Sequence, residues 1–178
     1  MRRWLKLLTV DVTVDKEISM RRKDFEKDRA FAYQVIDRCA YGVIAMVGEN
    51  ENTNGGPYCT PVSFARVEDR LYFHGAVEGT KVSFLEHDPR VCVSFVAFNQ
   101  AATDKFTTYY QSANVMGIAS EITDDTEKAL ALHALCKKLT PANMIEDRFE
   151  QAFSRSCSRV RVWCIQMKTV TGKEKPFP

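Results

Sequence analysis

Only Glu68, Asp69 and Arg70 stand between two β-rich stretches, 58–67 and 71–76. A connection that short makes the two strands antiparallel, because a parallel pair needs a long crossover. Further apolar, β-rich stretches fall at 41–47 (YGVIAMV), 91–98, 106–122 (FTTYYQSANVMGIASEI) and 159–170 (RVRVWCIQMKTV). Helical patterns occur between some of them but do not alternate with strands as βαβ units would. Roughly six strands and three or four helices in this order favour an antiparallel barrel with flanking helices over a doubly wound sheet. With 178 residues, 45% of them hydrophobic, the chain is long enough for one domain with its own core.

Residues 24–39 place Ala32, Val35, Ile36 and Cys39 on one face at helical spacing. Residues 79–87 carry Val82 and Leu85 three apart, and Pro89 cannot continue that helix. Asp124 with Glu127 reads as a capping-box start for a helix bearing Ala131, Leu132, Leu135, Cys136 and Leu139 on one face, and Pro141 opens a further helical stretch through Phe153. The unbroken apolar run at 41–47 predicts a strand buried on both faces, and Gly117 predicts a bend or bulge. Residues 48–57, GENENTNGGP, form a polar loop, and the tail from Gly172 to Pro178 is polar. Residues 1–19 are basic, then apolar but broken by Lys6, with no small-residue cleavage site. They read as an extension or arm before a domain at 20–173, with 174–178 as a tail.

Twenty-five basic and 23 acidic residues leave a net charge of +2, which gives no reason to expect nucleic acid as a partner. No apolar run is long enough to span a membrane. Six cysteines without a Cys-x-x-Cys pair, and three scattered histidines, suggest reduced thiols in a cytoplasmic protein and no structural zinc. The Gly-x-Gly-x-x-Gly, Walker and nucleophile-elbow patterns are all absent.

Residues 71–91, LYFHGAVEGTKVSFLEHDPRV, carry the chemistry. A strand runs through His74-Gly75-Ala76 into Gly79-Thr80-Lys81 and a helix start. Helix-start N–H groups lack intrahelical partners and attract anions. Gly79 lets the backbone approach, Thr80 offers a hydroxyl and Lys81 a point charge, so the step fits a cofactor phosphate. On these residues alone, a surface turn with a solvated lysine is the more frequent reading. A lone strand-end histidine such as His74 is likewise more often structural than a proton donor. Tyr109, Tyr110, Gln111 and Ser112 open the long strand and either alternate between core and solvent or line a site between subunits. Trp163 is core or site-lining. Glu121, Asp124, Asp125 and Glu127 read as a helix start, and His133 as one helical position.

The order of these segments is specific: YGVIAMV, then Thr60-Pro61-Val62-Ser63, YFHGAVEGTK, FLEHDPRVCVSF, KFTTYYQSANVMGIASEI, and VTGK near the end. It resembles the pyridoxamine 5′-phosphate oxidase-like flavoproteins, and within them the 5-nitroimidazole-resistance branch, over about Met20 to Lys173. The resemblance implies a split β-barrel and a homodimer with an FMN in each of two interface sites. By its pattern, Thr80 and Lys81 hold the flavin phosphate, with Gly79 in the same turn and His74, Gly75 and Ala76 beside it. Gly42, Val43, Ile44, Ala45 and Met46 line the cofactor, as do Pro61, Val62 and Ser63, and Ser112 comes from the second subunit.

The vitamin B6 oxidases usually carry Arg where this chain has Thr80, and they end in an arginine-bearing segment where this chain has GKEKPFP. Both departures point away from pyridoxine phosphate oxidation and leave the larger flavin FAD open. The expected activity is flavin-dependent reduction of a small acceptor such as a nitroimidazole, with His74 as the substrate-contacting or proton-delivering residue and NAD(P)H as a candidate electron donor. A non-catalytic flavin or haem module, and a B6-type oxidase with altered substrate, are the alternatives.

Overall fold

The computed structural model describes residues 20–48, 56–145 and 147–178. The expected arm at 1–19 and most of the loop at 48–57 lie outside the described residues. The elements run β1 (Glu26–Lys27), α1 (Arg29–Arg38), β2 (Gly42–Met46), β3 (Tyr58–Val62), β4 (Ala65–Val67), β5 (Arg70–Gly75), α2 (Thr80–His87), β6 (Arg90–Ala101), β7 (Thr108–Glu121), α3 (Asp125–Leu139), α4 (Arg148–Ser156) and β8 (Arg161–Lys175).

The strands form one sheet in the order β3-β2-β6-β7-β8-β5-β4, with β1 added on β8, and every pairing is antiparallel. Seven strands laid flat would hold the two edges about 29 Å apart. Yet only Ser63 and Phe64 separate edge strand β3 from edge strand β4, a reach of at most about 11 Å. The sheet therefore curls until its edges approach without pairing, which makes a split barrel. Phe64 fixes this corner: it is fully buried, with ring centroids 5.4 Å from Phe73 and 5.6 Å from Phe95. The stretch 58–67, expected as one strand, is thus two strands on opposite edges. The expected hairpin survives between β4 and β5, where Val67 pairs with Arg70.

Other expectations shift with tertiary context. The first helix begins at Arg29, not near Asp24, because the Asp28 carboxylate accepts from the Phe31 N–H and caps it there. Glu26 and Lys27 pair instead with Lys173 and Gly172. Strand β2 is not buried on both faces: Gly42, Ile44 and Met46 point into the core, while Val43 and Ala45 face outward. The last strand does not end near Val170 but runs to Lys175, held along β7 to the Tyr110–Lys175 pair. Gly117 does mark an irregularity, since the β7–β8 register shifts between Met116 and Gly117. Asp124 caps α3, accepting from the Glu127 N–H.

The barrel interior is one cluster that includes Ile44, Met46, Phe64, Leu71, Phe73, Val93, Phe95, Val115, Trp163 and Ile165. Helix α1 adds Ala32, Val35 and Ile36 to it, and α2 adds Phe84 and Leu85. On the other face of β5 and β8 a smaller cluster of Tyr72, Ile122, Ala131, Val162 and Cys164 packs beneath α3. Burying such side chains stabilises the fold by about 1.5–3 kcal/mol each.

Candidate functional site

Strand β5 ends at Gly75, and α2 starts five residues later at Thr80. The cap, Gly79, has φ 124°, a conformation that side chains strongly disfavour. From the first turn of α2, Lys81 folds back over the strand. Its ammonium lies 5.5 Å from the centre of the Phe73 ring. It also lies 2.8 Å from where a Cβ on Gly75 would stand, so the glycine makes room for it. Lys81 is half-buried, and desolvation lowers its pKa from the ordinary lysine value. Among the described residues, none of the ion pairs uses Lys81. A half-enclosed cation at a helix start, with no carboxylate against it, is an anion receptor in chemical terms. Phosphate fits this donor set.

The floor beneath is aromatic. Phe73 lies parallel to Trp163 at 6.4 Å across the β5–β8 ladder, where the two are register partners. Two residues on, Gly75 pairs with Arg161, whose guanidinium sits 5.1 Å from the Trp163 ring centre. Two cations thus cap two stacked rings. Trp163 belongs to the core, and its buried Nε1 has no hydrogen-bond partner among the described residues.

His74 pairs with Val162, one residue out of phase with Phe73 and Gly75. The pleat therefore puts its side chain on the opposite face of β5. It is exposed, and its pKa is lowered first by desolvation and then by the charge of Lys81. A neutral imidazole has one donor and one acceptor nitrogen. Thr80, half-buried at the head of α2, does engage a neighbour.

The residues expected on the strands fall into two sets. Val43, Ala45, Pro61 and Ser63 lie on the exposed face, with Val43 directly opposite Pro61. Gly42, Ile44, Met46 and Val62 are buried inward. Only their backbone, not their side chains, is offered to a ligand on the outer face. Helix α2 links this sheet to the turn, because Phe84 packs on Tyr58 of β3 at 5.5 Å. Ser112 stands farther round the sheet, paired with Val96 and Lys173. Within one chain, then, the fold gathers Gly75, Thr80 and Lys81 tightly, with Ala76 exposed in the same turn, but brings Ser112 to the other side of β6. Sequence reasoning missed Phe73, Glu86 and Arg161. Arg161 belongs to the stretch RVRVW, but only the strand register puts it opposite Gly75.

The sequence profile of the pyridoxamine 5′-phosphate oxidases matches residues 28–174. No curated protein matches the chain. Several solved structures share its fold. A candidate 5-nitroimidazole antibiotic resistance protein from Bacteroides thetaiotaomicron is 22% identical, with a TM-score of 0.67 over 83% of this chain and 84% of that one. The flavocytochrome Anf3 from Azotobacter vinelandii is 19% identical, with a TM-score of 0.70 over 90% and 73%. An FAD- and haem-binding protein from Mycobacterium smegmatis is 20% identical, with a TM-score of 0.67 over 85% and 73%.

Proposed function

The chain belongs to the pyridoxamine 5′-phosphate oxidase family, and on that premise we propose that it is a flavin-dependent oxidoreductase of the nitroimidazole-reductase kind. The observation that carries this reading is Lys81, a half-buried ammonium over Phe73 with no carboxylate among the described residues against it. In this reading Lys81, the Thr80 hydroxyl and the first N–H groups of α2 hold the phosphate of FMN, while Gly75 and Gly79 let it approach. Ala76 borders the turn. Val43, Ala45, Pro61 and Ser63 face the ring system, with the backbone of Gly42, Ile44, Met46 and Val62 behind them. When bound, the flavin supplies the electron transfer, and the protein supplies orientation and electrostatics. His74, whose pKa is lowered, contacts the acceptor and relays a proton: the protonated ring nitrogen gives one to the acceptor as the bare nitrogen takes one from solvent. FAD requires room beyond Thr80. Titration with each flavin separates the two.

Tyr41, Val43, Val47, Val96 and Met116 leave large apolar surfaces exposed on or beside the outer face of β2, β6 and β7. Covering that face with a second copy supports the homodimer, in which Ser112 of the partner subunit completes each site. Sedimentation of the purified protein tests this, and a monomer at micromolar concentration overturns it. All six cysteines are unbridged, which supports a cytoplasmic setting.

The decisive experiment is an anaerobic titration of the purified protein with FMN, NADH or NADPH, and a nitroimidazole. Bleaching of a yellow protein by NAD(P)H and recolouring by the nitro compound supports the reductase. A protein that stays colourless with added FMN sinks it. Two structural relatives, a flavocytochrome and an FAD- and haem-binding protein, lend support to a second reading as a flavin or haem carrier. A stable flavin or haem spectrum without turnover would select it.

A further inference from the structure

Arg161 opens β8 on the rung where β5 gives way to the turn, directly opposite Gly75. Its guanidinium faces three ways. One nitrogen donates to Glu86 Oε1 at 2.7 Å, on the last turn of α2. Another donates to the carboxylate of Glu121 at the end of β7. The plane lies over Trp163, next to the Phe73 ring that carries Lys81. Its side chain is only 20% exposed, whereas that of Glu86 is 56% exposed. This fork satisfies two carboxylates at once in a geometry that a lysine could not reproduce.

Helix α2 needs such an anchor. It spans eight residues, too few to be stable as an isolated helix. Its buried Val82, Phe84 and Leu85 hold its inner face to the body, and the Arg161–Glu86 hydrogen bond adds a directed contact at its last turn. Lys81 and Glu86 lie near opposite ends of the same short rod, about 7.5 Å apart along its axis. Fixing the Glu86 end to the strand opposite Gly75 therefore sets where the Lys81 end points.

We propose that Arg161, acting through Glu86, is the positioning residue of the phosphate turn: it sets the pose of α2 and thereby the selectivity for a phosphorylated flavin over its dephosphorylated form. This rests on the phosphate reading of Lys81. The surface-pair alternative, in which the contact adds only marginal stability, makes a different prediction.

The test compares binding of FMN and riboflavin by fluorescence quenching in wild type, Glu86→Ala, Glu86→Gln and a control, Glu127→Ala. The control breaks an ion pair of the same kind, Arg70–Glu127, on α3. In Glu86→Ala the FMN-to-riboflavin affinity ratio is expected to fall about tenfold, with riboflavin binding unchanged. Glu86→Gln, which keeps an acceptor for Arg161, recovers part of the ratio, and Glu127→Ala leaves it at the wild-type value. A ratio in Glu86→Ala equal to that of wild type overturns the proposal while leaving the phosphate site standing. An equal fall in Glu127→Ala also overturns it, because the effect would then be general loosening. A wild type that binds both ligands equally, or neither, overturns the phosphate reading itself and the proposal with it.

Discussion

Two cations sit over one pair of stacked rings, and they are treated in opposite ways. Arg161 lies over Trp163 and is neutralised by Glu86 and Glu121. Hydrogen bonding to Glu121 raises its pKa and lowers that of Glu121. Lys81 lies over Phe73, is half-buried, and has no carboxylate among the described residues against it. Burial lowers its pKa. A charge whose field is cancelled by its neighbours contributes to structure. A charge left uncancelled costs stability in the free protein and is repaid only when an anion arrives. The first ties elements together, and the second is, in the proposed reading, the receptor for a phosphate.

This contrast can be broken most directly at Lys81. Lys81→Ala should weaken FMN binding by about 10- to 100-fold, the range for loss of a hydrogen bond to a charged group. Thermal stability should hold or rise, because a desolvated charge has gone. Fluorescence titration beside a melting curve reads both, and unchanged FMN affinity would end the receptor assignment. Arg161→Ala should do the reverse in the melt. It orphans Glu121 and frees Glu86, and a loss of about 1–2 kcal/mol is expected, discounted because Glu86 is well exposed. Denaturant unfolding measures it.

A subtler change sharpens the same comparison. In Gly75→Ala the new methyl would meet the Lys81 ammonium, the far end of a flexible side chain. The lysine moves and the fold does not. FMN affinity should drop by about three- to tenfold with an unchanged melting temperature.

The smallest effect is in pH. Lys81 and His74 both have lowered folded pKa values, so the unfolded chain holds their protons more tightly. Stability without ligand should rise as pH climbs from each lowered pKa to the ordinary value: through the window just below the usual histidine value for His74, and below the usual lysine value for Lys81. Below each window the penalty is full, and each rise should be small because solvent screens both groups. In Lys81→Met the upper rise should vanish, while the lower should shrink but persist, because desolvation is the first cause of the His74 shift and the Lys81 charge only the second. A curve identical to wild type would contradict the desolvation of Lys81.

Some of this was readable from local pattern. Asp124 and Glu127 announced the start of α3, Gly117 the irregularity in β7, and Glu68-Asp69-Arg70 the hairpin, because each depends on neighbours a few residues away. Gly79-Thr80-Lys81 announced the start of α2 for the same reason. The alternation hidden in YGVIAMV was not readable, since alanine and valine tolerate either face of a strand and only the curl of the sheet decided which was covered. Nor was the break at Ser63-Phe64, where burial of Phe64 between Phe73 and Phe95 outweighed the β propensity of an unbroken strand.

Hairpin spacing and the order of strands and helices favoured an antiparallel barrel with flanking helices, and the residues of one turn pointed to Lys81. The tertiary structure alone decided that Lys81 lies over Phe73, that His74 faces away from that side of the strand, and that Arg161 stands opposite Gly75. The last of these depends on strand register between positions far apart in the chain. Register is set by the packing of the whole core, which no local stretch of sequence contains.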